Sequence, residues 1–210
     1  ISGKDELDST TTSISNQDYV SNLNREIKNS HIGLIKEMIE TSDPKVQKSV
    51  WKAIDKLKEI GVKVEEISIP ILKYALPSYY VLAMSEASSN LARYDGIRYG
   101  FNVDSDIDYD KTISKTRYLG FGDEVKKRIM IGSYSLSAGY YEKYYIKALK
   151  IRNMIKKEFI KIFKKKDALI SPTMPMLPPK IGNKITDPEI LYSIDINTVP
   201  ANLSGIPALS

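Results

Sequence analysis

The chain has 210 residues, 42% of them apolar, which is enough for one good-sized core and excludes a disordered tail. It contains no cysteine, so disulfides, thiolate nucleophiles and thiolate metal sites are excluded together, and the expected setting is a reducing cytoplasm. With 31 basic and 26 acidic residues the net charge is +5, a lysine-rich excess that reads as a solvated surface rather than a nucleic-acid groove.

No run of about eighteen apolar residues is present, so no membrane helix is expected. The opening ISGKDELDST has no basic stretch followed by an apolar one and does not read as a signal peptide.

Residues 1–30 form a polar entry segment, rich in Ser, Thr, Asn and Asp, with a short helix expected around Asp18–Leu23. Residues 31–76 read as a βαβ unit. His31–Lys36 is its first strand. Ser42-Asp43-Pro44 opens a helix, because a capping side chain precedes a proline in the first turn. Val46, Val50, Ala53, Leu57 and Ile60 form the expected apolar stripe, and Gly61 ends the helix. Val62, Val64, Ile67 and Ile69 then alternate as a strand closed by Pro70, a succession that predicts a parallel pair.

Residues 77–166 are mainly helical. One helix is expected from Tyr79 to about Tyr94, followed by an acidic loop over Phe101–Tyr109. A short helix around Thr112–Leu119 precedes another from Gly122-Asp123 to about Ser137. After Gly139 comes a long amphipathic helix ending near Lys165, with Tyr141, Tyr145, Ala148, Ile155, Phe159 and Ile162 inward. The paired tyrosines at 140–141 and 144–145 repeat at helical spacing and read as packing. Residues 167–210 return as a strand at Ala168–Ile170, a proline-rich loop, and helices capped by Asp187 or Ser193. Ile206–Leu209 reads as a further apolar strand. A domain seldom stops partway through such a strand, so the chain is expected to be part of a longer protein, with strand edges and apolar surface that recruit other chains. The whole reads as one partial α/β domain, a mixed sheet flanked by helices.

Several chemistries can be tested by spacing. Asp104, Asp106 and Asp108 alternate like the start of a calcium loop, but the sixth position is Tyr109 instead of glycine and the twelfth is Lys115 instead of glutamate. Gly120 and Gly122 open a dinucleotide fingerprint whose third glycine is Val125, and a turn with a helix cap explains them better. His31 is the only histidine, which leaves neither a serine triad nor a zinc site. Lys156–Lys166 is a basic run at a helix C-terminus, where the dipole favours cations.

The densest polar stretch is SYYVLAMSEASSNLARYDGIRYG, residues 78–100. Tyr80, Ala83, Ala87 and Leu91 give it helical periodicity, while Ser85, Glu86, Ser88, Ser89 and Asn90 crowd the same helix. Buried polar groups at that density must find partners, which points to a network or a site. This stretch resembles the amidase-signature family, and within it the A subunits of glutamyl-tRNA(Gln) and aspartyl-tRNA(Asn) amidotransferases. The resemblance continues through GFGDEVKKRIMIGSYSLSAGYYEKYYIKALKIR, ALISPTMP and DINTVPANLSGIPALS, and includes ISGKDELDST and HIGLIKEMI upstream, so it covers nearly the whole chain.

The resemblance implies a glutaminase that releases ammonia for a partner B subunit. There ATP and Mg would activate the glutamyl- or aspartyl-tRNA carboxyl group, with a small C subunit wrapping the pair and tRNA met only through B. It implies no cofactor and no metal in this chain. The family's Ser–Ser–Lys catalytic relay belongs to a region upstream of the one matched here, so no catalytic residue is assigned. The serines at hand, Ser88, Ser89, Ser135 and Ser137, lack flanking glycine runs. In the family the residues matching Tyr79, Arg128 and Asp195 hold the substrate glutamine. Taken singly, Tyr79 fits a core position, Arg128 a surface charge and Asp195 a helix cap. The chemistry suits the role, since a guanidinium can grip an α-carboxylate and a carboxylate can grip an α-ammonium. Two alternatives are a free-standing amidase-signature hydrolase and a non-catalytic scaffold fragment.

Overall fold

The computed structural model describes residues 3–11, 13, 18–103 and 108–210. Its sheet is built on β1 (His31–Ile35), which leads through α1 (Lys36–Glu40) and α2 (Pro44–Glu59) into β2 (Lys63–Ile67). β2 and β3 (Ala168–Ile170) flank β1, and both pairings are parallel. The α/β class and the βαβ unit are thus as expected. The sheet itself, expected to be mixed, is wholly parallel among the described residues.

Strand alternation sorts the side chains into two layers. Leu34 faces Ile54, Val64 and Ile170 on one side, under α2, where the half-buried Trp51 also packs. Ile35 faces the other way with Ile67 and Leu169, and Gly33 lies on that same face. A side chain at Gly33 would come within 2.8 Å of Leu169 and 3.0 Å of Ile67. Glycine there lets these two side chains close over the strand.

α2 starts as expected: the Asp43 carboxylate accepts from the Lys45 N–H at 2.8 Å, and Pro44 occupies the first turn. Its buried face differs from the expected stripe. Val50, Ile54 and Leu57 turn inward, while Ala53 and Ile60 are exposed. Ile54, four residues from Val50, shares its face, whereas Ala53 lies one residue round the helix.

The second layer is helical. It comprises α3 (Ala75–Leu91), α5 (Asp123–Leu136), α6 (Lys147–Phe163) and α8 (Val199–Ser204), with α4 (Tyr109–Gly120) and α7 (Pro188–Ser193) beside them. Its core holds Leu72, Leu82, Ile155, Phe159, Val199 and Leu203 over Ile35. α3 begins at Ala75 rather than Tyr79, because Pro77 falls in the first turn, where a missing N–H costs little. The expected stripe Tyr80, Ala83, Ala87 and Leu91 is only half-buried. The buried positions are Ala75, Ser78, Leu82, Met84, Ser85 and Ser88.

Ser85 and Ser88 form a joint with α5. The Ser85 and Ser135 hydroxyls lie 3.0 Å apart, and Ser88 and Ser133 lie 2.8 Å apart. Ser85 also reaches the Val81 carbonyl at 2.6 Å, and Ser135 the Ile131 carbonyl at 2.9 Å. Gly132 sits at the crossing, where a Cβ would fall 2.0 Å from the Met84 carbonyl oxygen.

Beyond α5, Gly139 turns the chain at φ +84°, and a π-type turn over Glu142–Ile146 leads into α6. Ala148, Ile155 and Phe159 are buried as expected. Tyr141 is exposed instead of inward and stacks on Tyr145, while Tyr134, Tyr140 and Tyr144 form a second aromatic group. Asp187 caps α7, accepting from the Glu189 N–H at 2.8 Å, and Ser193 makes no cap.

Two expected elements are different. Residues 19–24 are turns and not a helix, since Ser21 and Asn22 bond back to Asp18 through their own side chains and divert the backbone. Ile206–Ser210 is not a strand: Gly205 ends α8 at φ +68°, and Pro207 has no N–H to donate. Among the described residues, the outer edges of β2 and β3 carry no further strand, and no helix is long and apolar enough to cross a membrane.

Gly132→Ala is expected to force α3 and α5 apart and to lower stability by at least ~2 kcal/mol, the upper range for an overpacked interior. Ser133→Ala, which loses one part-buried hydroxyl contact, should cost only about 1 kcal/mol. Urea denaturation of the two variants tests the difference.

Candidate substrate-binding site

The three residues expected to bind substrate come from three elements. Tyr79 lies on α3, Arg128 on α5, and Asp195 on a one-turn 3-10 helix, Ile194–Asn197, between α7 and α8. All three lie within electrostatic reach of the Tyr80 hydroxyl on α3.

Their link runs through residues that the sequence did not single out for this role. The Tyr80 hydroxyl donates to Asp195 Oδ2 at 2.6 Å. The Tyr80 ring meets Tyr79 edge-on at 5.3 Å and Tyr192 at 4.7 Å. Tyr192 in turn donates to Glu124 Oε1 at 2.9 Å, and Arg128 Nε donates to the same oxygen at 2.9 Å. Lys127 lies over the Tyr192 ring, 5.2 Å from its centre. The result is a chain from Asp195 through Tyr80, Tyr192 and Glu124 to Arg128.

The bland readings hold in part. Tyr79 packs against the main core, and Arg128 is an exposed helix residue. Yet the guanidinium retains capacity. Its Nε is taken by Glu124, while its two terminal nitrogens make no hydrogen bond among the described residues. Asp195 Oδ1 is likewise without a partner there. The Glu124–Arg128 pair was legible as an i, i+4 spacing on one helix face. Tyr80 was legible only as a packing position, and Tyr192 gave no signal, because its role arises from tertiary contact.

Electrostatics fix the protons. Burial, followed by the hydrogen bond to Asp195, pushes the Tyr80 phenol well above its ordinary range, so it remains a donor at physiological pH. The hydrogen bond from Arg128, followed by that from Tyr192, holds the Glu124 carboxyl below its ordinary value, and Glu124 in return raises Arg128. A guanidinium and a carboxylate thus stand at the two ends of this chain of contacts, spaced by phenols.

The trio lines neither of two cavities elsewhere. One, of about 260 Å³, lies among Tyr94, Tyr99, Phe101, Arg117 and Phe121. The other, of about 240 Å³, lies among Tyr74, Val81, Lys143 and Tyr144. Among the described residues no group of three His, Cys, Asp or Glu side chains could hold a metal ion. Asp104 and Asp106 of the calcium-like alternation lie outside the described residues.

A parallel sheet covered by helices in this order is found in a known family. Residues 1–210 match the amidase family throughout, and the chain belongs to that family. It is 50% identical over its whole length to the A subunit of glutamyl-tRNA(Gln) amidotransferase from Desulforamulus reducens, and 51% identical to that from Methanosarcina barkeri. In both cases it spans 44% of the relative's length. The crystal structure of the glutamyl-tRNA(Gln) amidotransferase A subunit from Thermotoga maritima superposes with a TM-score of 0.70 at 35% identity, covering 100% of this chain and 42% of that one. A bacterial aryl acylamidase superposes at 0.66 with 18% identity, covering 97% of this chain and 40% of its own, a likeness of fold alone.

The Glu124 contacts give a pH dependence with a definite sign. Its lowered folded pKa means that this contribution to stability is present above the ordinary glutamate value of 4.5 and is lost as pH falls through the folded value. A carboxyl-carbon NMR titration should place the Glu124 midpoint below 4.5, and Arg128→Ala should move it upward.

Proposed function

We propose that this chain carries the glutamine-recognition part of the A subunit of a tRNA-dependent amidotransferase, whose glutaminase activity supplies ammonia. The observation that carries the reading is the placement of Arg128 and Asp195 at the two ends of one hydrogen-bonded and aromatic chain. In this reading the α-carboxylate of glutamine takes the free terminal nitrogens of Arg128. The α-ammonium takes Asp195 Oδ1. Tyr79 supplies a wall and a phenolic hydrogen bond.

The wider assignment follows the relatives. Released ammonia passes to a B subunit, where ATP with Mg supplies activation of the Glu-tRNA(Gln) or Asp-tRNA(Asn) carboxyl group. A C subunit completes the complex, in the cytoplasm. tRNA is met through B, and this chain holds no cofactor of its own. Whole-chain identity of 50% to an amidotransferase A subunit favours this reading over a free-standing hydrolase, whose representative here shares 18%.

Two outcomes test it. In the complete enzyme, Arg128→Ala should reduce glutamine use by about 1.5–3 kcal/mol, roughly 10- to 150-fold in kcat/KM, through loss of a charge-assisted anchor. Ammonia-driven amidation should largely survive, and equal loss of both would assign Arg128 a structural role. The chain expressed by itself should release no glutamate above background. Ser85, Ser88 and Ser135 are buried in the α3–α5 joint, and none of the three hydrogen-bonds a lysine among the described residues. Glutamate release abolished by a serine substitution within residues 1–210 would relocate the chemistry.

A further inference from the structure

We infer that Tyr80 is a positioning residue that sets the direction of the Asp195 carboxylate. The inference rests on the reading of Asp195 as the ammonium anchor and adds a residue to that site.

Asp195 sits on a single 3-10 turn, Ile194–Asn197, a short element with little intrinsic stiffness. Its backbone carbonyl is held by Thr198, through the N–H at 3.1 Å and the hydroxyl at 3.1 Å. Its side chain has one hydrogen bond among the described residues, the 2.6 Å contact from Tyr80. It has no ion pair within that set. The terminal torsion of an aspartate is broad, so without this contact the carboxylate has no fixed plane.

Tyr80 is suited to fix it. The distance lies in the short range of hydroxyl-to-carboxylate bonds, about 2.5–2.7 Å. The phenol keeps its proton, so the donor direction does not reverse. The ring is wedged edge-on between Tyr79 at 5.3 Å and Tyr192 at 4.7 Å, and it leaves α3 at a half-buried position. Tyr80 binds Oδ2, which leaves Oδ1 for an incoming N–H donor. The geometry separates two roles on one helix: Tyr79 at the substrate, and Tyr80 behind the anchor.

The test is a double-mutant cycle in the complete amidotransferase, with glutamine as the varied substrate. Tyr80→Phe keeps the ring and its packing and removes only the hydroxyl. Expected is a rise in glutamine KM of about five- to tenfold with kcat changed less than about twofold, the signature of weakened binding without loss of chemistry. In the Asp195→Asn background the same change should have no further effect, since the hydroxyl acts through the carboxylate. If Asp195→Asn raises KM and Tyr80→Phe does not, the anchor stands and the positioning role is refuted. If Tyr80→Phe adds its full effect to Asp195→Asn, or lowers kcat as much as it raises KM, Tyr80 acts independently of Asp195 and the inference fails. If neither substitution moves KM, the anchor reading fails, and the positioning role with it.

Discussion

The contact on which the site depends is the approach of Gly132 to the Met84 carbonyl. No Cβ fits there, since one would lie 2.0 Å from the carbonyl oxygen. Helices packed through ordinary side chains keep axes about 8–10 Å apart, and a glycine at the crossing permits the lower end of that range. Arg128 lies one helical turn from Gly132, and Tyr80 lies one turn from Met84. The crossing therefore sets how near the Arg128 helix comes to the Tyr80 helix. The charge spacing of the site is a product of backbone steric contact, and the hydrogen bonds around Glu124 and Tyr192 refine it.

The same joint explains what the sequence could and could not reveal. Strand, helix and strand over His31–Ile67 were legible because alternation and capping are local. Tyr79, Arg128 and Asp195 were grouped only through family resemblance, for each has an ordinary structural reading by itself. The apolar stripe of α3 was read from hydrophobic spacing, while the crowded serines, expected to find buried partners, supply much of its buried face. Ser85 bonds the Val81 carbonyl in its own helix and a hydroxyl on the neighbouring one, so it packs as a small residue. A hydrophobicity pattern selects Tyr80, Ala83, Ala87 and Leu91 instead. The α2 stripe failed more narrowly, at Ala53 and Ile60, and the presence of Trp51 and Ile54 on the inward side was the available signal.

Ion pairing at the surface contributes little by itself to holding the site. Glu124 and Arg128 are both exposed, and pairs of that kind contribute about 0–1 kcal/mol. Their value is geometric. Glu124 takes Nε and leaves the two terminal nitrogens of Arg128 without a hydrogen bond among the described residues, and a guanidinium fork of that kind matches a carboxylate. Tyr192 shares the same Glu124 oxygen, so the α7 end of the chain and the α5 end are tied at one atom.

The distribution of aromatic side chains has a consequence for observing this protein. Its single tryptophan, Trp51, packs with Leu34 and Ile54 on the α2 side of the sheet. The interacting tyrosines at 79, 80 and 192, and at 134, 140 and 144, all lie on the helical side. Tryptophan emission therefore reports on one layer, and the near-ultraviolet dichroism of tyrosine on the other. Loosening of the helical layer over an intact sheet would alter the second signal and leave the first unchanged, which makes the two layers separable in solution without any added label.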